Sequence, residues 1–167
     1  MKKVYVHSFT TRFGAIRVAA TDKGLAVIAL PGESQQSFHS RVADVFGDHE
    51  VVAGGAINRQ AQQEITDYLD GRLKRFTVKL DLHGSPFRQK VLKRVSGIPY
   101  GRTMTYGAIA RALGSPCASR AVGMANARNN LPLVIPCHRV IAANGLGGYG
   151  GGLELKKRLL KLEGALP

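Results

Sequence analysis

Between Thr105 and Arg128 the chain stops one helix and restarts another almost at once, which narrows the folds open to it. Thr105 reads as the cap of a helix over Tyr106–Leu113 that Gly114 ends, and Ser115-Pro116 then repeats a cap and first-turn signature. The pattern therefore predicts a third helix over Cys117–Arg128. Two helices joined by so short a Gly-containing turn form a helix-turn-helix. Upstream, Asp81-Leu82-His83-Gly84-Ser85-Pro86 reads as a linker that ends in the same cap signature. Phe87, Val91 and Val95 face one side of the helix it starts, with Leu92 beside them, until Gly97-Ile98-Pro99-Tyr100-Gly101 breaks the pattern.

Before the linker the period changes. Val4 and Val6, then Ile16 and Val18, then Leu25-Ala26-Val27-Ile28-Ala29-Leu30 predict three short antiparallel strands, with turns at Gly14 and at Thr21-Asp22-Lys23-Gly24. Ile57, Ala61, Ile65, Tyr68 and Leu69 repeat at helical spacing up to Gly71, and a further strand is expected over Phe76–Leu80. The expectation is an α/β (α+β) chain of two domains: a small antiparallel sheet-and-helix unit over residues 1–83 and a mainly helical unit over 84–167 built on a helix-turn-helix. A chain of 167 residues suffices for one or two cores. It holds no apolar run long enough for a membrane span, and its first residues turn polar too soon for a signal peptide. Two cysteines, Cys117 and Cys137, are too few for a disulfide framework, so a reduced, cytoplasmic setting is expected. His7, His39, His49 and His83 lie far apart without ligand spacing, and no metal is expected.

Charge separates the halves further. Residues 1–83 carry eleven basic and nine acidic side chains, whereas residues 84–167 carry thirteen basic ones against Glu154 and Glu163 alone. A surface with that excess binds polyanions, releasing counterions as each Lys or Arg neutralises a phosphate. The third helix is poorly equipped to read base edges. It offers Ala118, Ala121, Gly123, Ala125 and Ala127 between Arg120 and Arg128, so it either packs closely on a neighbouring helix or approaches DNA by backbone and minor groove.

A thiol sits in Pro136-Cys137-His138-Arg139-Val140 after the apolar run Leu131–Ile135, which reads as a buried strand. Neighbouring side chains on a strand point to opposite faces, so a water or a local turn has to relay a proton between Cys137 and His138. An imidazole so placed can lower the thiol from its usual pKa of about 8.5. This segment lies eight residues after Asn129 and is followed by Gly148-Tyr149-Gly150-Gly151-Gly152-Leu153. With Thr105-Tyr106-Gly107-Ala108-Ile109-Ala110, Ser119-Arg120-Ala121-Val122-Gly123 and Glu163-Gly164 in the same order, residues 84–167 closely resemble the O6-alkylguanine-DNA alkyltransferase family.

The resemblance implies that the helix-turn-helix is a winged helix-turn-helix, and it implies a function and a set of roles. Cys137 would take the alkyl group from guanine O6, and more weakly from O4-alkylthymine, as a permanent thioether, so each molecule acts once without a cofactor. His138 would accept the thiol proton through water, and Glu163 would orient the imidazole. The damaged base would leave the stack of double-stranded DNA at a cost of a few kcal/mol. Arg120 would fill the gap it leaves, and Tyr106 would help turn the phosphate and donate to guanine N3. Thr105, Ala121, Gly123 and Arg128 would complete the DNA face. Asn129, Pro132, Val140, Tyr149, Gly150 and Gly151 would shape the base pocket, with Asn129 holding the turn before the nucleophile. Gly150 replaces a Ser or Ala common in relatives, which removes one side-chain bond to O6. A free monomer is expected.

Overall fold

The alternating amino terminus forms a meander of three antiparallel strands, β1 (Lys2–Thr11), β2 (Gly14–Thr21) and β3 (Gly24–Ala29). A fourth strand, β4 (His49–Ala53), runs parallel to β1, giving the order β3-β2-β1-β4. These are features of a computed structural model that describes residues 1–167 and divides into two units, Met1–His83 and Gly84–Pro167.

In the first unit, α1 (Gln35–Phe46) starts at Ser34, whose hydroxyl accepts from the Ser37 amide, and buries Phe38 and Val42 in a cluster with Val4, Ala19 and Val27. The second helix, α2 (Ala56–Leu69), buries Ala61, Ile65, Tyr68 and Leu69. Neither α1 nor β4 carries an apolar period strong enough to stand out in the sequence. The strand expected over residues 76–80 does not form. Glu64 accepts the Thr77 and Val78 amides at 2.7 and 3.1 Å, which takes those donors away from any ladder. Only Leu80 reaches the sheet, as an isolated parallel bridge to Leu25. It comes so close that a Cβ on Gly24 would lie 2.5 Å from the Leu80 carbonyl carbon, and only glycine fits.

The second unit begins with α3 (Pro86–Ser96), capped as expected by Ser85. A short strand β5 (Met104–Thr105) leads into α4 (Tyr106–Ala112), whose Ala108 amide is capped by Thr105 Oγ1 at 3.1 Å. The next helix, α5 (Ser119–Ala127), starts two residues later than the cap signature implied. The Ser115 amide closes α4 by bonding Ala110 O at 2.9 Å around Gly114 at φ +74°, and the Ser115 carbonyl accepts the Ala118 amide at 2.9 Å, so residues 115–118 make a turn of their own and α5 starts from Ala118 without a side-chain cap. The strand expected over Leu131–Ile135 is also absent. Asn129 gathers the segment into a turn, its Oδ1 accepting from the Leu131 amide and its Nδ2 donating to Ile135 O, both at 2.9 Å. Cys137–Arg139 then form one turn of 3₁₀ helix, followed by β6 (Val140–Ile141), which pairs in parallel with β5, and by α6 (Leu153–Leu162).

Candidate active site

Because Cys137 lies in a 3₁₀ turn, the next side chain leaves about a third of a turn away, not on the opposite face of a strand. His138 is thereby directed into the protein, fully buried, where its Nε2 donates to Glu163 Oε2 at 2.7 Å. Glu163 ends α6 and is held from three more directions. Arg139 reaches it with Nε at 2.8 Å and Nη2 at 2.9 Å, and the Gly101 amide donates at 3.1 Å. The Arg139 guanidinium also donates to Ile98 O and lies 5.7 Å from the centre of the Tyr100 ring. A forked guanidinium on a carboxylate is the pairing that best survives burial.

Electrostatics follow from this packing. Burial holds His138 below its ordinary value of 6.5 despite the Glu163 charge, so the imidazole is neutral at pH 7. With its Nε2 proton given to the carboxylate, Nδ1 carries the lone pair that can accept a proton. Cys137 is 6% exposed, and burial pushes its thiol up, opposite to the lowering that an adjacent imidazole would bring. Asn129, the backbone amides and the charge of Lys156 pull the other way. The resting sulfur is therefore a thiol surrounded by groups that favour its anion.

Lys156 is fully buried in α6 and donates to the carbonyls of Val140, Leu146 and Gly148 at 2.7, 2.5 and 3.0 Å. One ammonium thus ties down the loop between β6 and α6, and burial lowers its pKa to about 8. The same loop leans on Tyr106, whose hydroxyl bonds the Gly148 backbone. Gly147 has φ +71°, and a Cβ there would lie 2.9 Å from the Tyr106 Oη. The Tyr106 ring rests over Gly123, where a Cβ would stand 3.7 Å away, so this glycine seats the tyrosine. Tyr149 meets the His138 ring edge-on at 6.4 Å. Gly150 and Gly151 extend the loop, and a Cβ at Gly150 would meet nothing within 4 Å. Pro132 and Val140 are buried, and the Val140 carbonyl is one of the three that Lys156 holds.

Arg120, Ala121, Met124, Ala127 and Arg128 form the exposed stripe of α5. Between this stripe and the start of α3 lies a groove of about 310 Å³ lined by Phe87, Arg88, Met124 and Arg128 among others. No three His, Cys, Asp or Glu side chains meet as metal ligands, and no helix is long and apolar enough to cross a membrane. Three residues of the site were not singled out by sequence: Arg139, Lys156 and Asn126, whose Nδ2 donates to the Cys137 carbonyl. Arg139 stands beside Cys137 and gives that much of a signal. Lys156 and Asn126 give none.

Residues 86–165 match the family described as 6-O-methylguanine DNA methyltransferase, DNA binding domain. A methylated-DNA–protein-cysteine methyltransferase of Methanosarcina acetivorans is 40% identical over 163 residues, 97% of this chain and 99% of that one. The chain belongs to this methyltransferase family. A member from Mycolicibacterium paratuberculosis is 50% identical over 104 residues, 62% of this chain and 63% of its own. The crystal structure of Mycobacterium tuberculosis OGT in complex with DNA superposes with a TM-score of 0.82 at 34% identity, covering 96% of this chain and 93% of that one. The O6-methylguanine-DNA methyltransferase of Pyrococcus kodakaraensis gives 0.73 at 28% identity over 96% and 99%. The methyltransferase fold thus extends over both units, including the amino-terminal one that the sequence motifs left thinly supported.

Proposed function

We propose that this methyltransferase repairs double-stranded DNA by moving the alkyl group of O6-alkylguanine, and more weakly of O4-alkylthymine, onto Cys137. The observation that carries this reading is the arrangement behind the thiol: a neutral buried imidazole, a carboxylate that orients it and an arginine that fixes the carboxylate. As the base enters, the Cys137 proton passes through water to His138 Nδ1, and Glu163 stabilises the imidazolium that results. The sulfur attacks the alkyl carbon as the bond from that carbon to O6 breaks. The electron pair leaves on the purine, which takes a proton at N1 and becomes guanine. A thioether has no leaving group to restore the thiol, so the protein acts once.

The DNA-facing roles belong to Gly84–Pro167. The exposed stripe of α5 enters the minor groove, where Ala121 and Ala127 permit close approach. Arg120 fills the space of the extruded nucleotide, Arg128 and the Thr105 end of α4 meet phosphates, and Tyr106 donates to the base. At 6% exposure Cys137 cannot meet a purine unless the residues around it yield. The bond between Gly148 and the Tyr106 hydroxyl is then exchanged for contacts with the base along Tyr149, Gly150 and Gly151. The protein works as a monomer in the reducing cytoplasm, where both cysteines stay free.

Mass spectrometry tests this directly. Incubation with a duplex carrying O6-methylguanine should add one methyl group to the Cys137 peptide, and Cys137→Ser should bind the duplex without gaining mass. Tight lesion binding by the unaltered protein with no mass change would reject transfer.

A further inference from the structure

One buried polar atom beside Cys137 has no use inside the protein. Asn126 faces inward from α5 and is 7% exposed. Its Nδ2 donates to the Cys137 carbonyl at 3.4 Å, whereas its Oδ1 is buried and accepts no hydrogen bond. That contact fixes which way the amide points, since the reverse orientation would set carbonyl oxygen against carbonyl oxygen. Asn129, three residues on, differs: both ends of its amide have partners in the turn that leads to the nucleophile, and its side chain also bonds the Cys137 sulfur. Asn126 is not needed to hold that turn, and a buried acceptor without a donor is unfavourable unless a partner supplies one.

The lesion has one donor to offer. Alkylation at O6 removes the N1 proton of guanine, so N1, N3, N7 and the ether oxygen are all acceptors and the exocyclic 2-amino group is the only donor left. O4-alkylthymine has lost its N3 proton and has no donor at all. We infer that Asn126 Oδ1 receives the 2-amino group of the extruded alkylguanine and so favours alkylguanine over alkylthymine at Cys137. Because the other end of the same amide holds the backbone of the nucleophile, a base docked on Oδ1 is placed relative to the sulfur through one rigid group. This assignment rests on the proposed attack of Cys137 on O6-alkylguanine.

The test uses the full chain and three duplexes, carrying O6-methylguanine, its 2-deamino counterpart O6-methylhypoxanthine, and O4-methylthymine. Transfer rates are read from the mass of the Cys137 peptide. The wild type should favour O6-methylguanine over O6-methylhypoxanthine by about tenfold, the worth of one well-placed hydrogen bond. Asn126→Leu, similar in size and without polar atoms, should slow the amine-bearing base more than the other two and bring the first two rates together, any loss from the Nδ2 bond to the Cys137 carbonyl being common to all three. Asn126→Ser, which keeps an oxygen acceptor, should fall between. Equal slowing of all three substrates in both variants would make Asn126 a support of the turn and overturn the assignment. Equal wild-type rates on the first two duplexes would overturn it without any variant. Methyl transfer with no preference for the amine sinks the Asn126 assignment alone, whereas no methyl on Cys137 from any duplex sinks the proposed function on which it rests.

Discussion

Arg139 is the side chain on which the catalytic geometry leans hardest, because it contributes no chemistry and yet fixes the carboxylate that orients His138. Removing it strands Glu163 in the interior with the Gly101 amide and the imidazole as its remaining partners. Breaking a buried pair from one side costs about 3–5 kcal/mol, so Arg139→Met should lower the melting temperature sharply and slow transfer as well. Thermal unfolding and single-turnover kinetics together check this. The titrations of two neighbours set a pH window. His138 binds its proton more weakly in the fold than in the unfolded chain, so its contribution is fully present above pH 6.5 and is lost as acid protonates it below that value. Lys156 is held at about 8, against 10.5 unfolded, so its charge costs stability below pH 8 and that cost fades as pH rises toward 10.5. Transfer should therefore fall on the acid side as the pH drops through the folded-state value of His138, which lies below 6.5, and fall again above about pH 8 as the loop loses its ammonium. A pH–rate profile flat across both regions would contradict these assignments.

At the scale of elements, the loop between β6 and α6 is the piece most exposed to a single change. Two of its carbonyls, with that of Val140 in β6, converge on Lys156, so Lys156→Met leaves them to find other donors while removing none of the loop's own residues. Amide exchange over residues 141–150 should quicken in that variant and remain unchanged in α3, and transfer should slow. Gly147→Ala attacks the same loop by strain, since its backbone sits at φ +71° and its Cβ would press on the Tyr106 hydroxyl. Elements whose caps are local were legible in the sequence. Ser85 and Pro86 announced α3, and Thr105 announced α4, because a cap is a bond between residues three apart. What escaped was set by distant partners. Glu64 diverts the backbone at Thr77 and Val78, and Asn129 folds Leu131–Ile135 into a turn that an apolar run alone presents as a strand. The site divides in the same way. Cys137, His138 and Glu163 could be named from a family pattern, but Lys156 looks like its half-buried neighbour Lys157 until the fold shows which of the two is fully enclosed.

For the whole molecule the decisive quantity is where the charge lies. Gly84–Pro167 carries thirteen basic and two acidic side chains, and of the two acids Glu163 is buried and already spent on Arg139 and His138. Glu154 is thus the one acidic side chain this unit exposes, and the field around α5 is positive with almost nothing to offset it. Affinity for undamaged duplex should then come mainly from counterion release. If six or more phosphates are neutralised, raising salt from about 50 to about 200 mM should weaken binding by about a thousandfold or more. Arg128→Ala, at the exposed end of α5, should reduce the slope of log affinity against log salt by about one, and it should do so on any sequence because a phosphate contact reads none. Arg120→Ala should behave differently. Its proposed place is the gap in the stack, so it should slow transfer from a duplex far more than transfer from the free alkylated base, where there is no stack to fill. Equal slowing of both would reduce Arg120 to one more phosphate contact, and the work of extrusion would have to be assigned to Tyr106 and the loop that it braces.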